Sequence, residues 1–381
     1  MPYTVVESIA TANPPMERTQ EEAAAFMERI ESLPRTIRNR IRHIYDQTAI
    51  DRRHSCIADY GKSDASSFDF FPGNWSLKPA PSTADRNKKY REAVLPLAED
   101  AATRALQQSS CSGKEITHLI TVSCTGFFAP GIDIELVKRL GLSPSTQRTM
   151  IGFMGCYAAF NALRVAHSFC VSQPSARVLV VCAELCTLHF QVDDSLESAV
   201  VNALFSDGAA ATVLSSRTAE EARGAWSYAG GHVVLDGDSM EHMTWDVGDT
   251  GFTMGLSSRV PAVIAENLPE FMEDLLRPHD LCHEGVDFWA IHPGGRAIVE
   301  KARDTLQLSP EDVEPSLRVL REHGNMSSPT ILFVLKEILE HRRDRETPGA
   351  RGAQAGVAMA FGPGLTLEGA VFRRVGESVA N

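Results

Sequence analysis

The sequence has no long hydrophobic run and a deficit of positive charge. No uninterrupted apolar stretch reaches the roughly 20 residues that a membrane-spanning helix needs, so we expect no membrane insertion. The N-terminus has neither a basic region nor a continuous apolar segment, so we expect no signal peptide. Lysine and arginine together number 37 against 49 acidic residues, which gives a formal charge of -12. This acidic balance disfavours nucleic acid and anionic membranes as partners.

The cysteines lack the spacing of a metal site. Most of the eight lie in apolar runs, and Cys182 and Cys186 form a close pair. No second pair completes a zinc site, so we expect no bound metal. We therefore interpret the cysteines as reduced thiols in a cytoplasmic protein.

The remaining composition is typical of a globular protein, with 43% hydrophobic and 23% charged residues in a chain of 381. This length allows several domains, or two related halves that share one core. Strand-like runs such as residues 176–184 alternate with helical periodicity such as residues 296–306, which indicates an α/β protein. Residues 317–320 are predicted as a weak strand.

Cys156 precedes an apolar segment, residues 158–169, which is hydrophobic on nearly every face and therefore predicts a buried helix. Gly152 and Gly155 permit a tight turn before it, so the thiol is expected beside the N-terminus of this helix. The helix dipole and free N–H groups there favour the thiolate, which is the nucleophilic form. An inert core cysteine is the alternative interpretation.

Two other stretches carry chemically suitable side chains. His292 ends a strand-like apolar run and is followed by Pro-Gly-Gly, and Asn325 lies in a loop of small residues before an apolar helix. Taken singly, His292 is equally well interpreted as a core histidine, and Asn325 as a turn residue. A thiol, an imidazole and a carboxamide at the ends of elements are the parts of a Cys-His-Asn acyl-transfer site.

In this order and with these flanks, the three motifs resemble the ketosynthases of the thiolase superfamily, and most closely the type III polyketide synthases, the chalcone synthase-like enzymes. The resemblance runs from residues 10–14 to residues 361–365. It implies an α/β, five-layered αβαβα thiolase-like fold with two duplicated halves. Residues 1–220 would carry Cys156, and residues 221–381 would carry His292 and Asn325.

The resemblance also implies the chemistry and the partners. Cys156 would take an acyl group from an acyl-CoA starter, and His292 and Asn325 would donate hydrogen bonds to the enolate left when malonyl-CoA loses carbon dioxide. Coenzyme A thioesters are then substrates, and no bound cofactor is needed. We expect Cys156 and His292 to rest as a thiolate–imidazolium pair. A homodimer is implied too, although Ala129 replaces the methionine that reaches into the neighbouring subunit's cavity in the family.

The resemblance assigns a substrate cavity with Phe205 and Phe252 at its mouth, although both would otherwise be interpreted as packing residues. Its other predicted residues are Cys124, His189, Met243, Ser327, Phe361, Gly362 and Pro363. Cys124 and His189 replace threonines of the plant enzymes, and Met243 replaces a glycine that opens the pocket, so we expect a shortened or redirected pocket. This pattern favours a microbial enzyme that makes an alkylpyrone, an alkylresorcinol or a related small polyketide from a fatty or short acyl-CoA.

The N-terminal region concentrates basic residues, namely Arg35, Arg38, Arg40, Arg42, His43, Arg52 and Arg53. A solvated helix face is one interpretation. The resemblance implies instead that Arg40, His43 and Gln47 bind the coenzyme A phosphates, with Ala297 at the same site. Of these, only Arg40 is certainly cationic at neutral pH, so we expect a weaker clamp or help from neighbouring arginines.

Two other functions fit parts of the sequence. A ketoacyl carrier-protein synthase III-like enzyme would use the same three residues for a single condensation. A non-catalytic thiolase-fold scaffold that binds acyl groups would not become acylated on Cys156. Phe205 and Phe252 favour the polyketide synthase over the first, and retention of all three reacting residues argues against the second.

Overall fold

The computed structural model describes residues 2–344 and 354–376, so residues 345–353 and 377–381 of the second predicted half lie outside the described residues. The strands are β1 (Tyr3–Ala12), β2 (Met16–Thr19), β3 (Arg52–Ser55), β4 (His118–Ser123), β5 (Gln147–Gly152), β6 (Arg177–Leu185), β7 (Asp207–Arg217), β8 (Trp226–Leu235), β9 (Met243–Gly248), β10 (Gly251–Leu256), β11 (Phe288–Ile291), β12 (Ala355–Gly362) and β13 (Thr366–Arg374). The helices are α1 (Gln20–Arg29), α2 (Arg35–Arg38), α3 (Ile41–Gln47), α4 (Thr83–Gln108), α5 (Ile132–Arg139), α6 (Ala158–Ser172), α7 (Leu196–Leu204), α8 (Val260–Leu276), α9 (Arg296–Leu306), α10 (Pro310–His323) and α11 (Thr330–Asp344).

Within the described residues, nine strands form one sheet in the order β11-β12-β13-β8-β1-β7-β6-β4-β5. In the first half, β1 pairs antiparallel with β7, β7 antiparallel with β6, and β6 parallel with β4. The second half repeats this pattern with β8, β13, β12 and β11. The halves meet where β1 pairs antiparallel with β8. The repeated strand order is an internal duplication.

The helices divide the structure into five layers. Helices α6 and α11 are buried together between the two halves of the sheet and share one hydrophobic cluster with both. Helix α4 covers the outer face of the first half, and α8 and α9 cover the outer face of the second. Because alternate residues of a strand point to opposite faces, Val178 and Val180 of β6 meet the central layer while Leu179 and Val181 meet the outer one.

Local sequence explains where two of these helices lie. Helix α4 begins at Thr83 because Ser82 and Asp85 form a capping box around its first turn. The prediction of a strand at residues 317–320 is wrong, because this segment belongs to α10. A second capping box, between Ser309 and Asp312, starts α10.

All eight cysteines are unpaired in the structure, as predicted. None of the helices in the described ranges combines the length and the apolarity required to cross a bilayer.

Candidate active site

Cys156 lies between β5 and α6, directly before Tyr157, the N-cap residue of α6, and only 5% of its surface is exposed. Two glycines bring a second loop against this turn. A Cβ on Gly155, which has φ +82°, would lie 2.6 Å from Pro363 Cδ, and one on Gly362 would lie 2.6 Å from Tyr157 Cδ1. The turn that carries the thiol is therefore held by close backbone approach to the end of β12.

Asn325 is fixed by both halves of the chain. Its N–H donates to the Leu204 carbonyl at 3.0 Å, and its carbonyl accepts from the Ser206 N–H at 2.9 Å. Its side-chain amide donates to the Gly294 carbonyl at 3.1 Å and accepts from the Ser327 N–H at 2.8 Å. Because Gly294 belongs to the turn after His292, this amide is tied to the predicted histidine segment.

The side chains of Ser327 and Asn325 lie near the Cys156 sulfur. Burial raises the pKa of this thiol to about 11, although the hydrogen bonds from Ser327 and Asn325 act in the opposite direction. The charge of buried Glu184 also raises this pKa. Burial thus favours the neutral thiol over the thiolate.

His292 follows β11 and is 1% exposed. Both of its ring nitrogens are buried without a hydrogen-bond partner among the described residues. Burial lowers the pKa of its imidazole to about 3. The expected resting thiolate–imidazolium pair is therefore not present in this structure, because burial penalises both charges and the ring makes no hydrogen bond to the sulfur.

Glu184 was missed by the sequence reasoning. Its fully buried carboxylate accepts hydrogen bonds from the Thr125 hydroxyl at 2.7 Å, the Ser328 hydroxyl at 2.7 Å and the Cys124 N–H at 2.9 Å. Burial raises the pKa of this carboxyl. The network fixes the loop after β4 against the loop before α11, on either side of the thiol. An acidic residue inside an apolar strand was the available signal.

The thiol opens into a cavity with about 770 Å³ of empty space, including the part that is open to solvent. It is lined by Cys156 and by five of the predicted residues, Cys124, His189, Phe205, Ser327 and Pro363. Met243 and Phe361 do not line it. Both belong to the buried cluster under α8, and their place in the cavity stays a prediction. Gly362 lies behind the thiol, against Tyr157.

Phe252 lies behind the wall of this cavity and does not line it. Its ring stacks on His189, with centroids 4.0 Å apart and an interplanar angle of 9°. Its N–H donates to His189 Nδ1 at 3.0 Å, so Nε2 carries the proton and donates to the Thr125 carbonyl at 2.7 Å. Burial lowers the pKa of His189 to about 4, in keeping with a neutral ring. His189 thus fixes Phe252 to the loop after β4.

The predicted coenzyme A residues lie on the surface. Arg40 precedes α3, and His43 and Gln47 follow on the same exposed side of this helix. Ala297 is exposed in the first turn of α9. Their contact with coenzyme A stays a prediction.

Two neighbouring arginines that we expected to assist are occupied elsewhere. Arg38 donates to the carbonyls of Ile30, Glu31 and Leu33. Arg53 is 2% exposed and lines the cavity, so its assignment to a surface clamp is wrong.

A five-layered, duplicated fold with a buried thiol, imidazole and carboxamide where its halves meet defines a condensing enzyme of the thiolase type. The family models for chalcone and stilbene synthases match this chain, the N-terminal domain over residues 3–218 and the C-terminal domain over residues 232–376. The chain therefore belongs to the chalcone and stilbene synthase family.

Individual relatives agree with this membership. The alpha-pyrone synthesis polyketide synthase-like Pks18 of Mycobacterium tuberculosis is 34% identical over 376 residues, covering 97% of this chain and 90% of that protein. Bisdemethoxycurcumin synthase of Oryza sativa subsp. japonica is 32% identical over 379 residues, covering 95% of this chain and 90% of that protein. The crystal structure of PKS-I from the brown alga Ectocarpus siliculosus superposes with a TM-score of 0.93 at 35% identity, covering 98% of this chain and 99% of that chain.

The crystal structure of the C-terminal type III polyketide synthase domain of Steely1, a type I/III hybrid from Dictyostelium, superposes with a TM-score of 0.85 at 25% identity. It covers 98% of this chain and 99% of that chain. The protein is thus a type III polyketide synthase, an acyltransferase that uses acyl-CoA and malonyl-CoA as substrates. The predictions of family, fold class and enzyme class are confirmed.

Proposed function

We propose that Cys156 is the nucleophile and that His292 and Asn325 are the hydrogen-bond donors for the enolate. The observation that carries this proposal is the arrangement around the sulfur. Asn325 and Ser327 lie near it, and the ring nitrogens of His292 are buried without hydrogen-bond partners among the described residues. A buried, unpaired imidazole is costly unless a substrate completes its hydrogen bonds.

Acyl transfer begins with a neutral thiol and a neutral imidazole. The sulfur attacks the thioester carbon of the starter while the thiol proton passes to His292, and coenzyme A leaves with that proton. A thioester then links the starter to Cys156. This step needs His292 to be unprotonated, which its lowered pKa ensures at neutral pH.

Chain extension follows from loss of carbon dioxide. Cleavage of the carboxyl–carbon bond of malonyl-CoA leaves its electron pair as an enolate, and the neutral His292 and the second N–H of Asn325 donate to the enolate oxygen. The enolate carbon attacks the acyl-Cys156 carbonyl and expels the sulfur. Transfer of the lengthened chain back to Cys156 permits another cycle.

We propose an α-pyrone, a resorcinol or a related small polyketide as the product. The relative from M. tuberculosis carries alpha-pyrone synthesis in its name, which favours closure to a lactone here. Because Met243 lies in the core, the size of the product depends on the residues that do line the cavity, among them Cys124 and Phe205.

The exposed side of α3 is proposed as the coenzyme A clamp, with Arg40 as its cation and His43, Gln47 and Ala297 as further contacts. Arg40→Ala should raise the KM for malonyl-CoA a few-fold, because an exposed charge pair contributes up to about 1 kcal/mol. Arg104→Ala is the control, since Arg104 is an exposed arginine paired with Asp100 on α4. Equal KM values for both variants would remove Arg40 from the clamp.

A homodimer is proposed through an exposed apolar surface beside the site. Phe127, Met150 and Phe153 are 55%, 45% and 40% exposed, and the rings of Phe127 and Phe153 both lie beside Phe252. Apolar patches of this kind on a soluble chain commonly mark an interface. Sedimentation of Met150→Glu should show a monomer, whereas Val171→Glu, an exposed apolar control on α6, should remain dimeric.

We also propose the cytoplasm as the compartment, since unpaired cysteines suit a reducing one.

Product mass spectrometry tests the function. Purified protein with malonyl-CoA and a graded panel of acyl-CoA starters should give products that contain at least two extender units per starter. Cys156→Ala should give none while retaining some malonyl-CoA decarboxylation, and Cys282→Ala, at an exposed cysteine, should match the wild type. A single condensation would support the ketoacyl synthase alternative, and absence of acylation would support a scaffold.

A further inference from the structure

Two buried arginines face each other in the wall of the catalytic cavity. Arg18 on β2 and Arg53 on β3 are direct cross-strand partners, and both line the cavity that contains Cys156. They are only 8% and 2% exposed. Like charges directly opposite each other on paired strands are destabilising, so this placement needs a compensating interaction.

The protein supplies that interaction only in part. Arg53 donates to the Gln20 side chain at 2.9 Å and to the carbonyls of Asn202 at 2.7 Å and Phe205 at 2.6 Å, which lie at the C-terminal end of α7. This use of its charge is favourable, because the helix dipole is negative there. Its Nη2 is nevertheless buried without an acceptor among the described residues.

Arg18 is less satisfied. Within the described ranges its guanidinium makes no hydrogen bond or ion pair, and its Nη1 is buried without an acceptor. It lies 4.0 Å from the centroid of the Tyr60 ring and 5.9 Å from that of Phe26. These cation–π contacts offset part of the desolvation cost. These contacts provide no hydrogen-bond acceptor for the N–H groups of the Arg18 guanidinium.

Among the described residues, no carboxylate forms a hydrogen bond or an ion pair with either guanidinium. Asp207 is the buried acid whose charge acts on both arginines. Its oxygens are occupied by the Cys56 N–H at 2.7 Å, the Thr187 N–H at 2.8 Å and the Thr187 hydroxyl at 2.7 Å. Burial lowers the pKa of Arg18 to about 10 and raises that of Asp207 to about 6, so the arginines stay charged at neutral pH. The cavity wall therefore carries excess positive charge.

An anion in the cavity would satisfy this wall. Guanidinium groups match the geometry of a carboxylate, whereas an alkyl chain offers them no acceptor. The same cavity holds Cys156, so an acyl chain on the thiol occupies the space that this wall borders. We propose that Arg18 and Arg53 form an anion subsite for the terminal carboxylate of the starter, so that the enzyme accepts an ω-carboxyacyl-CoA, the monothioester of a dicarboxylic acid. This inference rests on the proposed role of Cys156.

Starter competition tests the subsite in the full-length protein. Glutaryl-CoA and adipyl-CoA are offered with malonyl-CoA against butyryl-CoA and hexanoyl-CoA, and the products are measured by mass. The wild type should prefer the carboxylated starters. Arg18→Met should lower kcat/KM for them by about tenfold to a hundredfold, the range for one charge-assisted hydrogen bond, without lowering it for the alkyl starters. Arg18→Lys, which keeps the charge, should retain part of the preference.

The matched control is Arg29→Met. Arg29 also lies over an aromatic ring, 5.4 Å from the centroid of Trp75, but it is exposed on α1 and outside the cavity. It should behave as the wild type. Substitution of Arg53 is avoided because it also holds the end of α7.

The outcomes separate the subsite from the enzyme's basic function. Polyketides from alkyl starters with no wild-type preference for carboxylated ones would overturn the subsite and leave the proposed function intact. An equal loss for both starter classes in Arg18→Met and Arg18→Lys would also overturn it, since that indicates a structural role. If Arg18→Met does not fold, the wild-type preference and the Arg18→Lys variant decide. Lack of multiple extension with every starter would overturn the proposed function itself.

Discussion

Substitution of Gly362 by alanine should disturb catalysis through the segment that carries the thiol. A Cβ at this position would lie 2.6 Å from Tyr157 Cδ1, 2.9 Å from Tyr157 Cε1 and 3.5 Å from the Cys156 nitrogen. Carbon atoms in contact normally stay about 3.5–4.0 Å apart, so the tyrosine ring has to move by about 1 Å. Tyr157 is buried and caps α6, so the turn before it has to move with the ring.

The size of the effect follows from this overlap. Insertion of a methyl group into a packed site costs about 1–3 kcal/mol of the free energy of unfolding. A displacement of about 1 Å at a reacting group can lower the rate about a hundredfold. We therefore expect Gly362→Ala to lower kcat for product formation far more than it lowers stability.

Denaturant unfolding and steady-state product formation measure the two effects separately. Gly237→Ala is the matched control, because a Cβ there has no neighbour within 4 Å. This control should keep wild-type kcat and stability. If Gly362→Ala has the same kcat as Gly237→Ala, the close approach of β12 does not position Cys156 and the reasoning is refuted.

Three further variants test the interior around the site. Ser327→Ala removes a hydrogen bond that lowers the pKa of Cys156, so the pH profile of alkylation by iodoacetamide should move to higher pH; an unchanged profile would contradict the contact. Glu184→Gln should cost about 1–3 kcal/mol of unfolding free energy in denaturant titration, because the amide cannot accept from all donors of the network. The same variant should move the alkylation profile of Cys156 to lower pH, since the negative charge of Glu184 raises that pKa; a move to higher pH would be inconsistent with this account. Met243→Ala should lower stability by about 2–5 kcal/mol and leave the product mass unchanged; a longer product would return Met243 to the cavity wall.

The sequence predicted those parts of the fold that have strong local signals. The buried segment after Cys156, the strand before His292 and the helix after Asn325 all lie where hydrophobic patterns placed them. Strands β8 and β13 were missed, because β8 contains two adjacent glycines and alternates in burial over only part of its length. Their pairing is decided by the partner strand, which no local pattern records.

Within the site, residue type identified the reacting groups but not the surrounding charges. Cys156 and His292 were found from their motifs, yet the same motifs suggested an ion pair that burial disfavours. The packing of Met243 under α8 carried no signal, because position along the chain does not specify which side of a strand faces the cavity. The opposition of Arg18 and Arg53 carried no signal, since it arises only when β2 pairs with β3.

Trapping of the acyl-enzyme tests the central claim most directly. The protein is mixed with a starter acyl-CoA and malonyl-CoA, quenched in acid during turnover, digested and analysed by peptide mass spectrometry. The account predicts acyl adducts on the peptide that contains Cys156, in a ladder of masses that differ by one extender unit. Product formation with no adduct on that peptide, or with the ladder on another cysteine, would contradict it.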